Sequence, residues 1–489
     1  MNRRRFVVTA AAAATSLRSL AQASPSVKIK IHAEQAVATV PANFLGLSYE
    51  TQQLSDPAFF TGANTGLIEQ FRALAPNGVL RLGGNTSDYG FWKPTPTSTA
   101  PPRTPREYKV GDPPPDLVYG VTPEAVRNLK AFLDATGWTC LYGINLGTNT
   151  PALAADEAEF VSKTLGSKLE YFQVGNEADR FASTIRDPKL TGHPWNAEAY
   201  LAEWLTFAKA IVARVPNAKF GLPDVANNAE WLTAVGNDLA DNPIRSHVAC
   251  VSHHYYIGGP PSSPEMTIAR ILKADPKVIK NAGIVRASAE KLHTAYRMTE
   301  GNTCYRGGKP GVSDVFAAAL WSADYFLTLA SEGYAGVNLH GGDGQMVANS
   351  LGGKLPGEEL MKDPNAPHPR PFYTPIAHIG NGYYLEPVAI GMKFAGNFAG
   401  AKLCKLDFDP GGVNATAYAA VMPNGQQAVA IINKDDKPLP IDLGEFALAL
   451  MMSAPSLDST KVELTEPARY KELSVVPPAT AVLLRKVRE

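Results

Sequence analysis

Cysteine is scarce in this chain: Cys140, Cys250, Cys304 and Cys404 are the only four in 489 residues, far apart and with no CxxC pair or Cys/His cluster. That excludes a disulfide scaffold and a metal site of ordinary ligand spacing, and leaves four mostly buried thiols with one bridge at most. Charge of one sign is also lacking, since 46 Lys and Arg balance 46 Asp and Glu. No global field draws nucleic acid or an acidic membrane surface, so an anionic ligand must be caught locally. Past the first 23 residues no stretch reaches the roughly 18 to 20 uninterrupted apolar residues of a membrane span.

What the sequence does have is apolar material in quantity. At 45% hydrophobic and 19% charged, the chain can bury a large core, and its length argues for two domains. Its first residues, MNRRRFVVTAAAAATSLRSLAQAS, set Arg3, Arg4 and Arg5 before a short Ala-rich run and the small-x-small pattern Ala21-Gln22-Ala23. This reads as an export signal over 1–23 of twin-arginine type, which places the mature protein outside the cytoplasm, periplasmic or secreted.

From about residue 43 to 386, short apolar strands alternate with amphipathic helical stretches. The strands are FLGLSYE, GVLRLGG, TCLYGINL, LEYFQVGNE, AKFGLPD, VACVSHHYY, TAYRMTE and AGVNLHGG. Eight βα units over this length predict a (β/α)8 TIM-type barrel. After about Pro387 the pattern changes to strands joined by Gly, Pro and Asn-Gly turns, among them GMKFAGNFAGAKLCKLDFD, which predicts an antiparallel β-sandwich over 387–489. Residues 24–42 alternate with period two and are expected to add one or two strands to that sandwich. Two Pro-rich insertions, KPTPTSTAPPRTPREYKVGDPPPDL and GGKLPGEELMKDPNAPHPRP, follow strands two and eight and are candidate rim loops.

In a barrel, side chains at the C-terminal strand ends converge on one mouth. Glu177 closes strand four and Glu300 closes strand seven, each after a run that otherwise reads as buried. Two carboxylates facing across one mouth are what glycoside hydrolysis requires, one as proton donor and one as nucleophile, about 5 to 5.5 Å apart in a retaining enzyme. A lone strand-end Glu is more often a solvated charge, and the pairing of two is what shifts the reading to chemistry. The strand-six stretch SHHYY offers His253, His254, Tyr255 and Tyr256, of which alternate residues face the mouth.

Here the sequence resembles glycoside hydrolase family 79, the β-glucuronidases and heparanases of the large retaining clan. FQVGNEADRF is similar to its acid/base segment, MTEGNTCYRGG with SDVFAAALWSADYF to its nucleophile segment, SHHYYIGG to its strand-six signature, and LRLGGNTSDY follows strand two. The resemblance implies that Glu177 is the general acid/base and Glu300 the nucleophile, with Phe172, Val174 and the neighbouring carboxylate expected to raise the Glu177 pKa. It implies that Asn176 holds the sugar 2-hydroxyl and that a His-x-Tyr pair faces the site: His253 with Tyr255 in the favoured register, Tyr256 if the strand slips by one. For the glucuronate carboxylate it implies Tyr305, Gly307 and Tyr373. Glu50 and Asn85 are candidates for the remaining hydroxyls, and Arg306 is expected to face solvent. The implied activity is a retaining exo-β-glucuronidase without metal or organic cofactor, acting on a glucuronic-acid-containing glycan or small glucuronide. Its alternatives are an endo-acting heparanase-like enzyme, a neutral-sugar hydrolase of the same clan, and a carbohydrate-binding protein without catalysis.

Overall fold

The computed structural model describes residues 26–103, 106–361, 370–468 and 472–487, so the proposed export signal lies outside the described residues. Eight parallel strands close into a barrel: β1 (Leu45–Glu50), β2 (Val79–Gly83), β3 (Thr139–Ile144), β4 (Leu169–Val174), β5 (Phe220–Val225), β6 (Val248–Gly258), β7 (Ala295–Cys304) and β8 (Val337–His340). β8 pairs back onto β1 with Val337 opposite Leu45, which closes the ring without a free edge. Each segment expected as a strand is one. The difference lies in length, because β7 continues through Gly301 to Cys304 and Glu300 therefore sits within the ladder rather than at its end.

Helices follow in turn: α1 (Thr65–Leu74), α2 (Pro123–Thr136), α3 (Pro151–Leu165), α4 (Ala197–Arg214), α5 (Ala229–Asp238), α6 (Pro276–Leu292), α7 (Phe316–Ser331) and α8 (Pro387–Gly396). Six of the first seven start on a side-chain cap, Asn64, Thr122, Thr150, Asn196, Asn228 or Asp275, whose oxygen accepts an amide of the first turn that would otherwise be unpaired. The helix α8 corrects the sequence reading. GMKFAG reads as strand in sequence, yet Pro387 to Gly396 is helical and closes the outer ring between α7 and α1. Its Val388, Met392, Phe394 and Ala395 are buried, and Gly391 lies so close to the Ala319 carbonyl that a Cβ would stand 2.0 Å from it. That close approach explains Gly391 in a helix interior that propensity alone disfavours.

The chain then builds a seven-stranded antiparallel sheet in the order Lys30–Thr39, Lys402–Asp407, Ala415–Val421, Gln427–Asn433, Thr480–Lys486, Phe446–Ser453, Glu463–Thr465. A three-stranded sheet of Val27–Lys28, Leu439–Asp442 and Val475–Val476 covers one of its faces. Val429 and Ile431 point to that covering sheet while Ala428, Ala430 and Ile432 join the barrel core, as a two-residue period requires. Strand residues from before the barrel thus serve the sheet that follows it. All four cysteines are buried and unbridged. No helix among the described residues is long and apolar enough to cross a membrane.

Candidate active site

At the end of β4 the chain turns through Gly175 (φ 88°) into Glu177, whose left-handed backbone (φ 46°) caps a short 3-10 helix over Ala178–Ser183. The Glu177 amide donates to the carbonyl of Asp224 at 2.8 Å, and Asp224, just before the end of β5, is itself left-handed (φ 55°). A non-glycine residue at positive φ costs energy, and such residues gather where the surrounding structure has a use for a strained backbone. Here the strain aims both carboxylates over the barrel axis. Glu300 projects from β7 into the same space, and one oxygen each of Glu177 and Glu300 lies within 4.8 Å of the other and of a His254 ring nitrogen.

Each oxygen of Glu300 has a fixed partner. Arg81 Nη1 donates to Oε2 at 2.7 Å and the Tyr256 hydroxyl donates to Oε1 at 2.8 Å. Arg81, 1% exposed, also pairs with Asp224 at 2.8 Å and donates to Asn176 Oδ1, Ser48 Oγ and Gln173 Oε1. Burial pushes the Glu300 pKa up, but His340, His254 and Arg81 outweigh it and bring it down to about 2. Glu300 is a carboxylate at any ordinary pH.

Glu177 is held by His254 Nδ1 on Oε1 at 3.0 Å and by Arg180 Nη1 on Oε2 at 2.9 Å. Burial favours its neutral form, yet the hydrogen bond from His254 and the charge of Arg180 leave its pKa below the usual carboxylate value. This overturns the expectation of a raised pKa: Phe172 and Val174 do line the strand below, but the polar contacts above them decide. The proton resides next door. His254 is buried, which disfavours its charge, but Glu300 and Asp224 more than compensate and bring its pKa up to about 10. His254 Nδ1–H and Glu177 form a unit that carries one proton at neutral pH.

Strand six places the other expected residues. Its pairing slips between Ser252 and His253 against β5 and between His253 and His254 against β7, so simple alternation does not run through. In consequence His254 and Tyr256 reach the mouth and the favoured pair does not. His253 is fully buried, with Nε2 2.8 Å from the Tyr334 hydroxyl behind the barrel wall, and burial with the nearby His254 charge brings its pKa down to about 3. The Tyr255 hydroxyl donates to Asp275, the cap of α6, so only the rest of that residue borders the cavity.

The cavity holds about 540 Å³ and is bordered by Glu50, Asn85, Glu177, Tyr256, Glu300, Tyr305 and Tyr373 among the expected residues. Glu50 Oε2 accepts from the amide and hydroxyl of Thr86, and Oε1 lies 3.3 Å from His340 Nε2. Asn176 accepts from Arg81 and from the Gly84 amide through its carbonyl oxygen, which leaves its amide nitrogen without a protein acceptor among the described residues. Gly307 is not a lining residue: it is buried against Leu355, and its carbonyl accepts from the Phe372 amide. Arg306, expected in solvent, borders the cavity instead.

Sequence reasoning missed Arg81, Asp224, His340 and Arg180, and it named His254 without favouring it. The signal for the first two was a charge inside an otherwise apolar strand, LRLGG and FGLPD, where a buried ion needs a buried partner. Glu177, His254 and Glu300 are the one group among the described residues whose geometry could suit a metal ion. They do not fit one chemically, because a protonated imidazole and the guanidinium groups of Arg81 and Arg180 already neutralise both carboxylates.

No family model matches the chain. It is 28% identical over 312 residues to a β-glucuronidase of Aspergillus niger, covering 59% of this chain and 55% of that one. A β-glucuronidase of Neurospora crassa is 27% identical over 299 residues, covering 55% and 51% respectively. The matched region thus spans about half the length of these curated relatives. In fold, a 4-O-α-L-rhamnosyl-β-D-glucuronidase from Fusarium oxysporum superposes with a TM-score of 0.67 at 16% identity, over 94% of this chain and all of that one. Barrel, appended sheet and sequence likeness together bear out the resemblance of this chain to the β-glucuronidases of glycoside hydrolase family 79.

Proposed function

We propose that the protein is a retaining exo-β-glucuronidase that removes terminal β-linked glucuronic acid through a covalent glycosyl-enzyme intermediate. The observation that carries this is the pair Glu177 and Glu300, with oxygens within 4.8 Å of each other across the barrel mouth. That separation suits direct attack on the sugar, whereas an inverting enzyme leaves room for a water at roughly 6.5 to 9.5 Å. Glu300, ionised and oriented by Tyr256 and Arg81, attacks the anomeric carbon while the Glu177–His254 unit gives its proton to the leaving oxygen. Once Glu300 is esterified its charge is gone, and Glu177 with His254 accepts a proton from the water that frees the sugar.

Exo action is supported by how the rim meets over the cavity. Tyr108 of the first insertion reaches Gly352 of the second, where a Cβ would stand 2.1 Å from its hydroxyl, and Arg306 reaches Gly111. Loops that touch in this way make a pocket for a chain end rather than a through-going groove.

The test compares hydrolysis of 4-nitrophenyl β-glucuronide with the β-glucoside and β-xyloside, in the native chain and in Glu300→Gln, with the released sugar followed by proton NMR. Glucuronide preference, initial release of the β-anomer and loss in the variant are expected. Preference for a neutral sugar, or α-anomer release, would refute the reading.

A further inference from the structure

The loop after β7 carries a cation that no acidic side chain neutralises. Arg306 has no ion pair and no hydrogen bond to any described residue, although it borders the cavity and is half-buried. The other two arginines at the centre are spent, Arg81 on Glu300 and Asp224 and Arg180 on Glu177 and Asp112. The backbone is bent to hold Arg306 there. Its φ is 61°, in the left-handed region that a long side chain enters at a cost, and Gly307 and Gly308 continue at 86° and 84°.

The opposite wall is shaped to receive it. Gly111 of the first insertion has φ 86°, which favours glycine, and a Cβ there would lie 2.6 Å from Cζ and Nη2 of Arg306, so the guanidinium packs directly against this backbone. Arg306 Cζ also lies over the Tyr305 ring, 6.0 Å from its centroid, while the hydroxyl of Tyr305 faces Gly259. The side of the cavity on which Arg306 stands follows from its neighbours. Gly111 adjoins Asp112, Asp112 holds Arg180 at 3.3 Å, and Arg180 holds Glu177 at 2.9 Å. Arg306 is therefore on the side of the proton donor, where the departing group lies, and Lys277 is a second cation on the same cavity border.

Resting on the glucuronidase reading, we propose that Arg306 forms an anion subsite on the leaving-group side, which selects glucuronides whose departing moiety carries a carboxylate or a sulfo group. A planar guanidinium matches either group with two parallel hydrogen bonds, and a cavity wall screens it less than open water does.

The experiment uses matched aryl β-glucuronides, 4-carboxyphenyl against 4-carbamoylphenyl and 4-sulfophenyl against 4-sulfamoylphenyl, with the native chain, Arg306→Gln, and Arg306→Gly, which relieves the backbone strain. The native chain is expected to favour the anionic member of at least one pair by about tenfold in kcat/KM, chiefly through KM, and less so in 0.5 M salt. Which pair shows it separates carboxylate from sulfo recognition. Both variants are expected to lose the preference while turning over the neutral members within about threefold of native. No preference in the native chain overturns the proposal, as does an equal loss on both members, which would make Arg306 a brace of the wall or a contact of the glucuronate itself. Should no glucuronide be cleaved, the glucuronidase reading fails separately. Calorimetric binding of 4-hydroxybenzenesulfonate against its sulfonamide then decides the subsite: preference abolished by Arg306→Gln supports it, and equal binding to the native chain overturns it.

Discussion

The floor of the cavity and its wall are built on opposite principles. In the floor, Glu300, Arg81, Asp224 and His254 come from four different strands, are all buried, and satisfy one another's charge. In the wall, Arg180 is 42% exposed at its side chain, and Arg306 stands without an ion pair on the loop after β7. A saturated network in low dielectric fixes geometry and protonation, because any member that moved would strand another's charge. A partly solvated wall fixes neither, and is free to adapt to whatever leaves. The comparison teaches that chemistry belongs to the strand ends and selection to the loops.

Substitutions can break that division or sharpen it. Glu300→Gln, which keeps shape and removes the proposed nucleophile, should lower kcat by on the order of 10⁴-fold or more without a comparable loss of stability. Arg81→Met should cost about 3 to 5 kcal/mol in urea unfolding, since it leaves Glu300 and Asp224 buried without their cation. A stability loss no larger than that of a surface Arg would mean the floor is not the saturated network described.

Buried carboxylates without a cation should behave in the opposite sense with pH. Glu157 accepts from the Tyr142 hydroxyl at 2.8 Å, and burial raises its pKa to about 7. The folded state then holds a proton that the unfolded state releases, so stability should fall as pH rises from about 4.5 to 7, by up to roughly 3 kcal/mol, and Glu157→Gln should flatten the curve. For Glu300 the folded pKa is depressed, so its contribution is present above pH 4.5 and lost only as pH falls towards 2. Thermal melts from pH 3 to 9 check both signs.

Tyr256→Phe removes one hydrogen bond to Glu300 and should cost about 1.5 to 3 kcal/mol in kcat/KM. Smallest of all, Arg180→Gln at the wall should change kcat/KM by only about tenfold at most and move its alkaline limb, because Arg180 acts on the Glu177–His254 proton from a solvated position. If Arg180→Gln proved as damaging as Glu300→Gln, the contrast of floor and wall would fall.

How much of this could be read beforehand depends on the element. The barrel strands were legible because each is a contiguous apolar run bounded by turn residues, and Glu177 and Glu300 because acids that close such runs need a reason. The phase of β6 was not legible: with two histidines and two tyrosines in succession, residue type carries no information, and the pairing slip at His253 decides which of them turns inward. Helix α8 was misread because Gly391 and Gly396 look like strand punctuation until the Ala319 carbonyl beneath Gly391 is known. The left-handed turns at Glu177, Asp224 and Arg306 leave no trace in composition, since glycine, the residue that would announce them, is absent at all three.

The pairing of Lys30–Thr39 with Lys402–Asp407 has a consequence on the ribosome. Some 360 residues separate the two strands, so at about 5 to 20 residues per second the earlier one waits roughly 20 to 70 s for its neighbour to be made. Throughout that time the whole barrel can emerge and close while an unpaired, alternating strand trails from its start. The last sheet to be completed thus holds a strand made before the barrel began, and a cell making this protein must keep that strand from pairing with anything else.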